Sequence, residues 1–408
     1  AVAAYALAAA ARAGFQGALL APTDLLARQH LETVGALLAE LGIDVLLLTG
    51  SLRPADKARA HELIASGQAT VVVGTHALFS EAVSFARLGL AIVDEQHRFG
   101  VEQRGQLEAK AGGRTPHVLL MTATPIPRTL GQVLYADLEV SDLRTPPAGR
   151  IPIRTGRKRP DGLDATWSKV REEAAAGHRT FVVVPLIEED GSGIDDGSPS
   201  GALAATSEAV RLRAVLAPLR VGLVHGRMKP ADRDAEMTRF RDGQLDVLVG
   251  TTVIEVGVDV PAATMMIIEG ADRFGLAQLH QLRGRVGRSN APSFCVLVSE
   301  TADETAMARL KALADTADGF ELAEKDFELR REGDVLGFAQ SGLPGLRVAS
   351  LTRKDHQALA VRARAQAEGL LDEAGRLDPD RPDLAGLARE LESGWLRRLV
   401  AAEPASGT

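Results

Sequence analysis

"GSLRPADKARAHELIASGQATVVVGT", residues 50–75, lines up without gaps on "GRMKPADRDAEMTRFRDGQLDVLVGT", residues 226–251, and ten of the 26 positions are identical. Each copy opens on a glycine, enters an amphipathic stretch through Pro-Ala-Asp, breaks at Gly-Gln and closes with a valine-rich run ending in Gly-Thr. That is the pattern of a helix followed by a buried strand. A second pair, "IVDEQHRFG" at 92–100 and "IIEGADRFG" at 267–275, aligns with the offset shortened by one residue. Self-similarity inside one chain signals a repeated structural unit, here two lobes of one fold. The lobes are unequal: Asp94 and Glu95 face Glu269 and Gly270, so the acid pair is intact only in the first.

Outward from these segments the same alternation continues. "GALLAPT", "DVLLLTG", "ATVVVGT", "LAIVDE" and "HVLLMTAT" read as buried parallel strands, and "LLARQHLETVGALLAELG" and "PADKARAHELIASG" as the helices between them. Strand–helix alternation predicts an α/β lobe over residues 1–146. Residues 144–160, "RTPPAGRIPIRTGRKRP", form a Pro/Gly/Arg-rich break. A second lobe over 147–300 follows, with strands "RTFVVVPLI", "RVGLVHG", "LDVLVGT" and "TMMIIEG". The polar stretch "EEDGSGIDDGSPSGALAAT" inside it is expected to be a mobile loop. From 301 to 408 the pattern is mainly helical. The strands end in polar, turn-forming tails, and open α/β sheets bind ligands outside the carboxyl ends of their strands.

Composition narrows the class without naming a function. At 408 residues the chain suggests two or three domains, and 45% hydrophobic with 25% charged residues is normal for a soluble globular protein. No apolar run approaches the ~20 residues that span a bilayer. The Ala-rich start "AVAAYALAAAARAG" lacks the basic region of a signal peptide. It also lacks an initiator Met, and an internal fragment is expected. The single cysteine, Cys295, excludes an internal disulfide framework and fits a reducing cytoplasm. No Cys/His cluster has zinc-ligand spacing. A net charge of −7 does not advertise nucleic-acid binding but does not exclude it, since local basic stripes matter more than the total.

The chemistry-bearing residues gather in a few boxes. Phosphoryl transfer needs one carboxylate to hold Mg²⁺ and a second group to orient the attacking water. Asp94 and Glu95, adjacent at a strand end, suit those two tasks, with Gln96 and His97 placed in the turn to sense the γ-phosphate. In "MTATPIPRTL", 121–130, Thr122 and Thr124 offer hydroxyls that could link the acid loop to the second lobe. "QLHQLRGRVGRS", 278–289, spaces Arg283, Arg285 and Arg288 around two glycines. Arginines supplied from a second lobe stabilise transition-state charge at a γ-phosphate. Arg283 can equally belong to a surface basic patch. Thr251 and Thr252 in "GTTVIEVGVDVP" could grip nucleic-acid phosphates, while Gly257 and Asp259 could face the nucleotide. Thr23, Gln29, Thr75 and His76 offer similar groups in the first lobe, although each taken singly is also ordinary turn chemistry.

Together these boxes resemble those of superfamily 2 helicases. More narrowly, "DEQHRFG", "MTATPIPRTL", "HGRM", "TTVIEVGVDVP" and "RFGLAQLHQLRGRVGRS" resemble the RecG family of bacterial ATP-dependent DNA helicases. The resemblance implies two RecA-like parallel-sheet lobes, the first truncated at its N-terminus, and a helical C-terminal segment. It implies ATP and Mg²⁺ as cofactors, with Asp94 on the metal and Gln281, Gly257, Asp259, Arg285 and Arg288 on the nucleotide. It implies a cytoplasmic monomer acting on branched or duplex DNA in repair and recombination, away from membranes, with single-stranded DNA-binding protein as a further partner. "MARLKALADTADGFELAEKDFELRREGDVLGFAQSGLP" resembles the family's translocation segment, where Arg309, Arg330 and Gln340 fall at coupling positions. The transcription-repair coupling factor shares most boxes, but His97 and His280 favour RecG.

One box is absent. A phosphate loop reads G-x-x-x-x-G-K-[ST], and no lysine in these 408 residues follows a glycine. Family order puts it just before the first helix, and the family's N-terminal wedge domain is not found here either. The polypeptide alone is therefore expected to bind ATP poorly and hydrolyse it negligibly. Two other readings stand beside the motor portion of a helicase: a DNA-binding remnant without turnover, and a coupling-factor-like translocase.

Overall fold

The computed structural model describes residues 1–95, 110, 115–122, 139–145, 151–185, 199–255, 259–329, 354–371, 377 and 381–392. The chain divides into two compact units, Ala1–Thr124 with Gly149–Ala302, and Pro125–Ala148 with Asp303–Thr408. The first holds both lobes.

In lobe one, β1 (Gln16–Leu20), β2 (Val45–Leu48), β3 (Val71–Gly74), β4 (Leu88–Val93) and β5 (His117–Leu120) form a sheet of order β2-β3-β1-β4-β5, parallel throughout. Successive strand side chains point to opposite faces, which divides the core in two. Ala18, Leu20, Val72, Ala91 and Val93 pack with Ala60 and Ile64 of α3 (Pro54–Ala65). Leu19, Val71, Val73 and Ile92 pack with Leu7 of α1 (Val2–Arg12) and with Ala27, Val34 and Leu38 of α2 (Asp24–Ala39). Helices on both faces explain the near-continuous apolar strands.

Lobe two repeats the plan. Its strands are β6 (Arg154–Lys158), β7 (Arg179–Val183), β8 (Val221–Val224), β9 (Val247–Gly250), β10 (Ala263–Ile268) and β11 (Phe294–Val298), all parallel, in the order β6-β11-β10-β7-β9-β8. Reversed, that order is the order of lobe one with β6 added beyond β11. On one face Trp167 and Val170 of α4 (Asp164–Ala175) and Ala209, Leu212 and Leu216 pack over Val182, Val249 and Ile267. Ala209 and Leu212 belong to α5 (Pro199–Val215). Opposite, Phe181 meets Phe240 of α6 (Pro230–Arg241) with ring centroids 4.7 Å apart.

The identities in the repeat have physical causes. Gly67 and Gly243 follow α3 and α6 with φ of 77° and 79°, the left-handed turn that ends a helix and that glycine adopts without strain. Gly74 and Gly250 end β3 and β9, where a Cβ would stand 2.2 Å from the Leu48 carbonyl oxygen and 2.8 Å from that of Val224. A side chain there would push apart two hydrogen-bonded strands.

Three sequence expectations need correction. The break at 144–160 contains β6, whose Arg154, Arg157 and Lys158 side chains stay exposed and whose Thr155 is half-buried, because it is an edge strand held by backbone pairing to β11. The strand β11 itself was not among those read from the sequence. The last residues of the expected loop, from Pro199 onward, begin α5, since Pro at a helix start needs no N–H partner and alanines propagate the helix; 186–198 lie outside the described residues.

In the second unit the described helices are α8 (Glu304–Asp315), α9 (Gly319–Leu329), α10 (Lys354–Glu368) and α11 (Ala385–Glu392). Within that unit the Arg144 guanidinium lies over the Phe320 ring, 4.4 Å from its centroid. Among the described residues no helix is long and apolar enough to cross a membrane.

Candidate nucleotide and nucleic-acid site

In each lobe the chain leaves the strand pair β1/β4 or β7/β10 in opposite directions across the sheet, and such a switch point opens a crevice at the carboxyl ends of the strands. Asp94 sits there in lobe one, its N–H donating to the Leu20 carbonyl at 3.0 Å. Glu95 follows with φ 55°, the one non-glycine residue with positive φ among the described residues. That conformation costs about 1–2 kcal/mol. Glu95 N–H donates to Asp94 Oδ1 at 3.0 Å, and Asp94 Oδ2 lies 2.7 Å from His30 Nε2. Hard carboxylate oxygens of this kind fit Mg²⁺, which takes one or two of them and keeps water for the rest.

His30 was not singled out in the sequence, yet a signal existed. It lies one turn from Ala27 and one from Val34, on the stripe that α2 buries, as a polar residue among apolar ones.

The switch point of lobe two is built alike and filled differently. Glu269 N–H donates to the Val183 carbonyl at 2.8 Å, and Gly270 repeats the φ of 55°. From α5, Arg211 bridges Glu208 at 2.5 Å and Glu269 at 3.4 Å, and its guanidinium lies 5.5 Å from the Trp167 ring. Burial, and then the Glu208 carboxylate, push Glu269 up to about 7 against the opposing charge of Arg211. A cavity of about 480 Å³ opens beside this trio.

The arginine box follows α7 (Leu276–Arg283), anchored by buried Leu276, Leu279 and Leu282. Arg283 and Arg285 are only 4% and 8% exposed, which overturns the surface-patch reading of Arg283. Arg288 is exposed; its Nη1 donates to Asp259 Oδ1 at 3.1 Å and its Nε to the Gly284 carbonyl at 3.1 Å. Gln281 is half-buried on α7. The structure thus joins Asp259 to Arg288 and Asp94 to His30.

The remaining residues are scattered. Thr23 caps α2, its Oγ1 accepting from Leu26 N–H at 3.3 Å, which is ordinary turn chemistry. Gln29 is half-buried, Thr75 is buried before the short turn His76–Phe79, and His76 is exposed. Thr251 is fully buried and Thr252 nearly so. Thr122 is exposed beyond β5, and Arg309 is half-buried on α8. His97, Thr124, Gly257, Arg330 and Gln340 lie outside the described residues.

Three family profiles match the chain: DEAD/DEAH box helicase over 1–133, helicase conserved C-terminal domain over 170–290, and ATP-dependent DNA helicase RecG, domain 3, C-terminal, over 316–396. The ATP-dependent DNA helicase RecG of Mycobacterium bovis is 51% identical over 373 residues, 86% of this chain and 50% of that protein. The chain belongs to the RecG family. RecG of Bacillus subtilis is 44% identical over 371 residues, 91% of this chain and 53% of that protein. The chain spans about half the length of the curated relatives it matches. A solved structure of RecG bound to a three-way DNA junction agrees with a TM-score of 0.71 at 37% identity, covering 89% of this chain and 45% of that one. Yeast Dbp5 bound to RNA and ADP BeF3, at TM-score 0.51, 18% identity and 75% of each chain, shares the two-lobed fold alone.

Proposed function

We propose that this chain is the motor portion of an ATP-dependent DNA helicase that remodels branched DNA. The observation that carries the reading is the acid pair at the lobe-one switch point, Asp94 with its left-handed neighbour Glu95, in a chain of RecG kinship. Mg²⁺, when bound, neutralises charge on the β- and γ-phosphates. Asp94 would hold the metal, Glu95 would orient the attacking water, and His97 would sense the γ-phosphate. Arg285 and Arg288 stabilise the charge that develops there, with Gln281, Gly257 and Asp259 on the nucleotide side. Asp259 and the Gly284 carbonyl hold Arg288 until the phosphate competes for it, in line with their 3.1 Å contacts. Thr23, Gln29, Thr75, His76, Thr251 and Thr252 are assigned to the DNA-backbone side of the lobes, Thr23 as a helix cap and Thr251 and Thr252 from buried strand-end positions, and Thr122, Thr124, Arg309, Arg330 and Gln340 couple turnover to movement. The same reading keeps the three-part division at 146/147 and 300/301, monomeric action in the cytoplasm, and contact with single-stranded DNA-binding protein.

The test is ATP turnover and junction unwinding by the whole protein. Asp94→Asn and Arg288→Ala are each expected to abolish turnover, by ~10³-fold or more for an arginine that meets the γ-phosphate, with the circular dichroism spectrum unchanged. Full activity in either variant removes that residue's role. Robust DNA-stimulated turnover by the 408 residues alone would remove the need for a phosphate loop outside them.

A further inference from the structure

In both lobes the acid at the switch point is met by a side chain from the same helix of the plan, but the two helices send different chemistry. α2 follows β1, and α5 follows β7, which holds the place of β1 in the sheet of lobe two. Each reaches over to the residue that ends the adjacent strand, β4 beside β1 or β10 beside β7. From α2, His30 Nε2 lies 2.7 Å from Asp94 Oδ2. From α5, Arg211 Nη2 lies 3.4 Å from Glu269 Oε1.

The helix beneath His30 fixes where its ring can go. Thr23 caps α2, Ala27, Val34 and Leu38 bury its stripe, and Arg28 Nη2 donates to Ser51 Oγ at 3.3 Å. The backbone at 30 is therefore held from the cap, from the core and from one flank. A carboxylate only accepts hydrogen bonds, so His30 Nε2 is the donor. Asp94 Oδ1 accepts from Glu95 N–H at 3.0 Å. Among the described residues each oxygen of Asp94 thus takes one bond, and a carboxylate oxygen has room for two. The pair of bonds sets the plane and tilt of the group while leaving space for a cation. Both side chains are only 20% exposed, so water competes weakly for the contact. Lobe two differs at this point: Arg211, shared between Glu208 and Glu269, puts a permanent positive charge where a metal would sit.

We infer that His30 is a positioning residue, which holds the Asp94 carboxylate in the orientation that presents an open lone pair to a divalent cation and so makes α2 part of the metal site. The inference rests on the reading of Asp94 as the metal-holding acid and adds the residue that sets its aim. Hydrogen-bond partners of ligating groups tune metal affinity without touching the ion. The same helix carries Thr23 and Gln29, which that reading assigns to the DNA-backbone side. His30 is then the point at which a displacement of α2 by DNA reaches the carboxylate.

The test is binding of Mn²⁺, a paramagnetic stand-in for Mg²⁺, to the whole protein with ADP, read from the free-ion electron paramagnetic resonance signal. The Mg²⁺ concentration that half-saturates ATP turnover is measured beside it. His30→Ala is expected to weaken Mn²⁺ binding by about 10–100-fold and to raise the half-saturating Mg²⁺ concentration with it. ADP binding without metal should stay unchanged. His30→Gln, whose amide can donate from about the place of Nε2, should recover most of the loss. His30→Leu, which fills the space and cannot donate, replaces the alanine variant if that one fails to fold. A merely structural histidine would lower the urea midpoint and leave Mn²⁺ affinity unmoved. Unchanged Mn²⁺ affinity in His30→Ala or His30→Leu, or no recovery in His30→Gln, overturns the inference, and the role of Asp94 stands if Asp94→Asn still loses the ion. Unchanged Mn²⁺ binding in Asp94→Asn overturns the reading of Asp94 itself.

Discussion

Glu269→Gln isolates the ionisable group at the lobe-two switch point while keeping its shape. Glu269 is drawn in two directions: burial and Glu208 favour the protonated acid, while Arg211, 3.4 Å away, favours the carboxylate. The ion pair is longer than a charge-assisted contact usually is, and Arg211 is shared with Glu208 at 2.5 Å, so burial prevails. The folded-state pKa of about 7 lies above the ordinary value of 4.5. A raised pKa contributes stability that is fully present below the unfolded value and lost as pH rises through the folded one. The whole effect is about 3 kcal/mol, of which about 2 kcal/mol disappears between about pH 5.5 and about pH 8. A glutamine has no proton to lose. The stability gap between Glu269→Gln and the unaltered chain should therefore move in favour of the variant by about 2 kcal/mol over that range. Urea unfolding followed through Trp167, in a Trp395→Phe background, reads it, since Trp167 is buried beneath Arg211. A gap independent of pH, or one moving the other way, would mean that Arg211 outweighs burial and the reasoning fails.

Two substitutions test the packing. Gly74→Ala should cost about 2–3 kcal/mol in urea unfolding and Gly250→Ala about 1–2, because the new Cβ meets a strand carbonyl at 2.2 Å in the first case and 2.8 Å in the second. Phe181→Ala should cost about 3–5 kcal/mol, since it removes a fully buried ring packed at a tilt against Phe240; calorimetric stability within 1 kcal/mol of the unaltered chain would contradict it.

Much of the fold was legible because parallel strands buried on both faces leave apolar runs that few other structures need. The repeat also located the switch points, and the match of Glu95 with Gly270 read from letters reappears as one shared backbone torsion. What escaped detection shares a cause: β6 is polar because an edge strand is held by its backbone, and backbone hydrogen bonds leave no mark on composition. The partners of the acids escaped too. His30 reaches Asp94 across 64 residues, and Arg211 reaches Glu269 across 58, and no local pattern encodes either distance. Among the arginines, spacing alone could not separate buried Arg283 from exposed Arg288.

The shared torsion at Glu95 and Gly270 sets two design goals against each other at one position. Lobe two meets the left-handed turn with the residue that bears it freely, and has no second carboxylate there. Lobe one accepts about 1–2 kcal/mol of backbone strain to hold one. A protein engineer seeking a sturdier first lobe would be led by its sibling to glycine at 95, and would obtain a more stable chain without the carboxylate proposed to orient water. The repeat thus supplies, within one polypeptide, the relaxed reference against which the strain at Glu95 can be gauged.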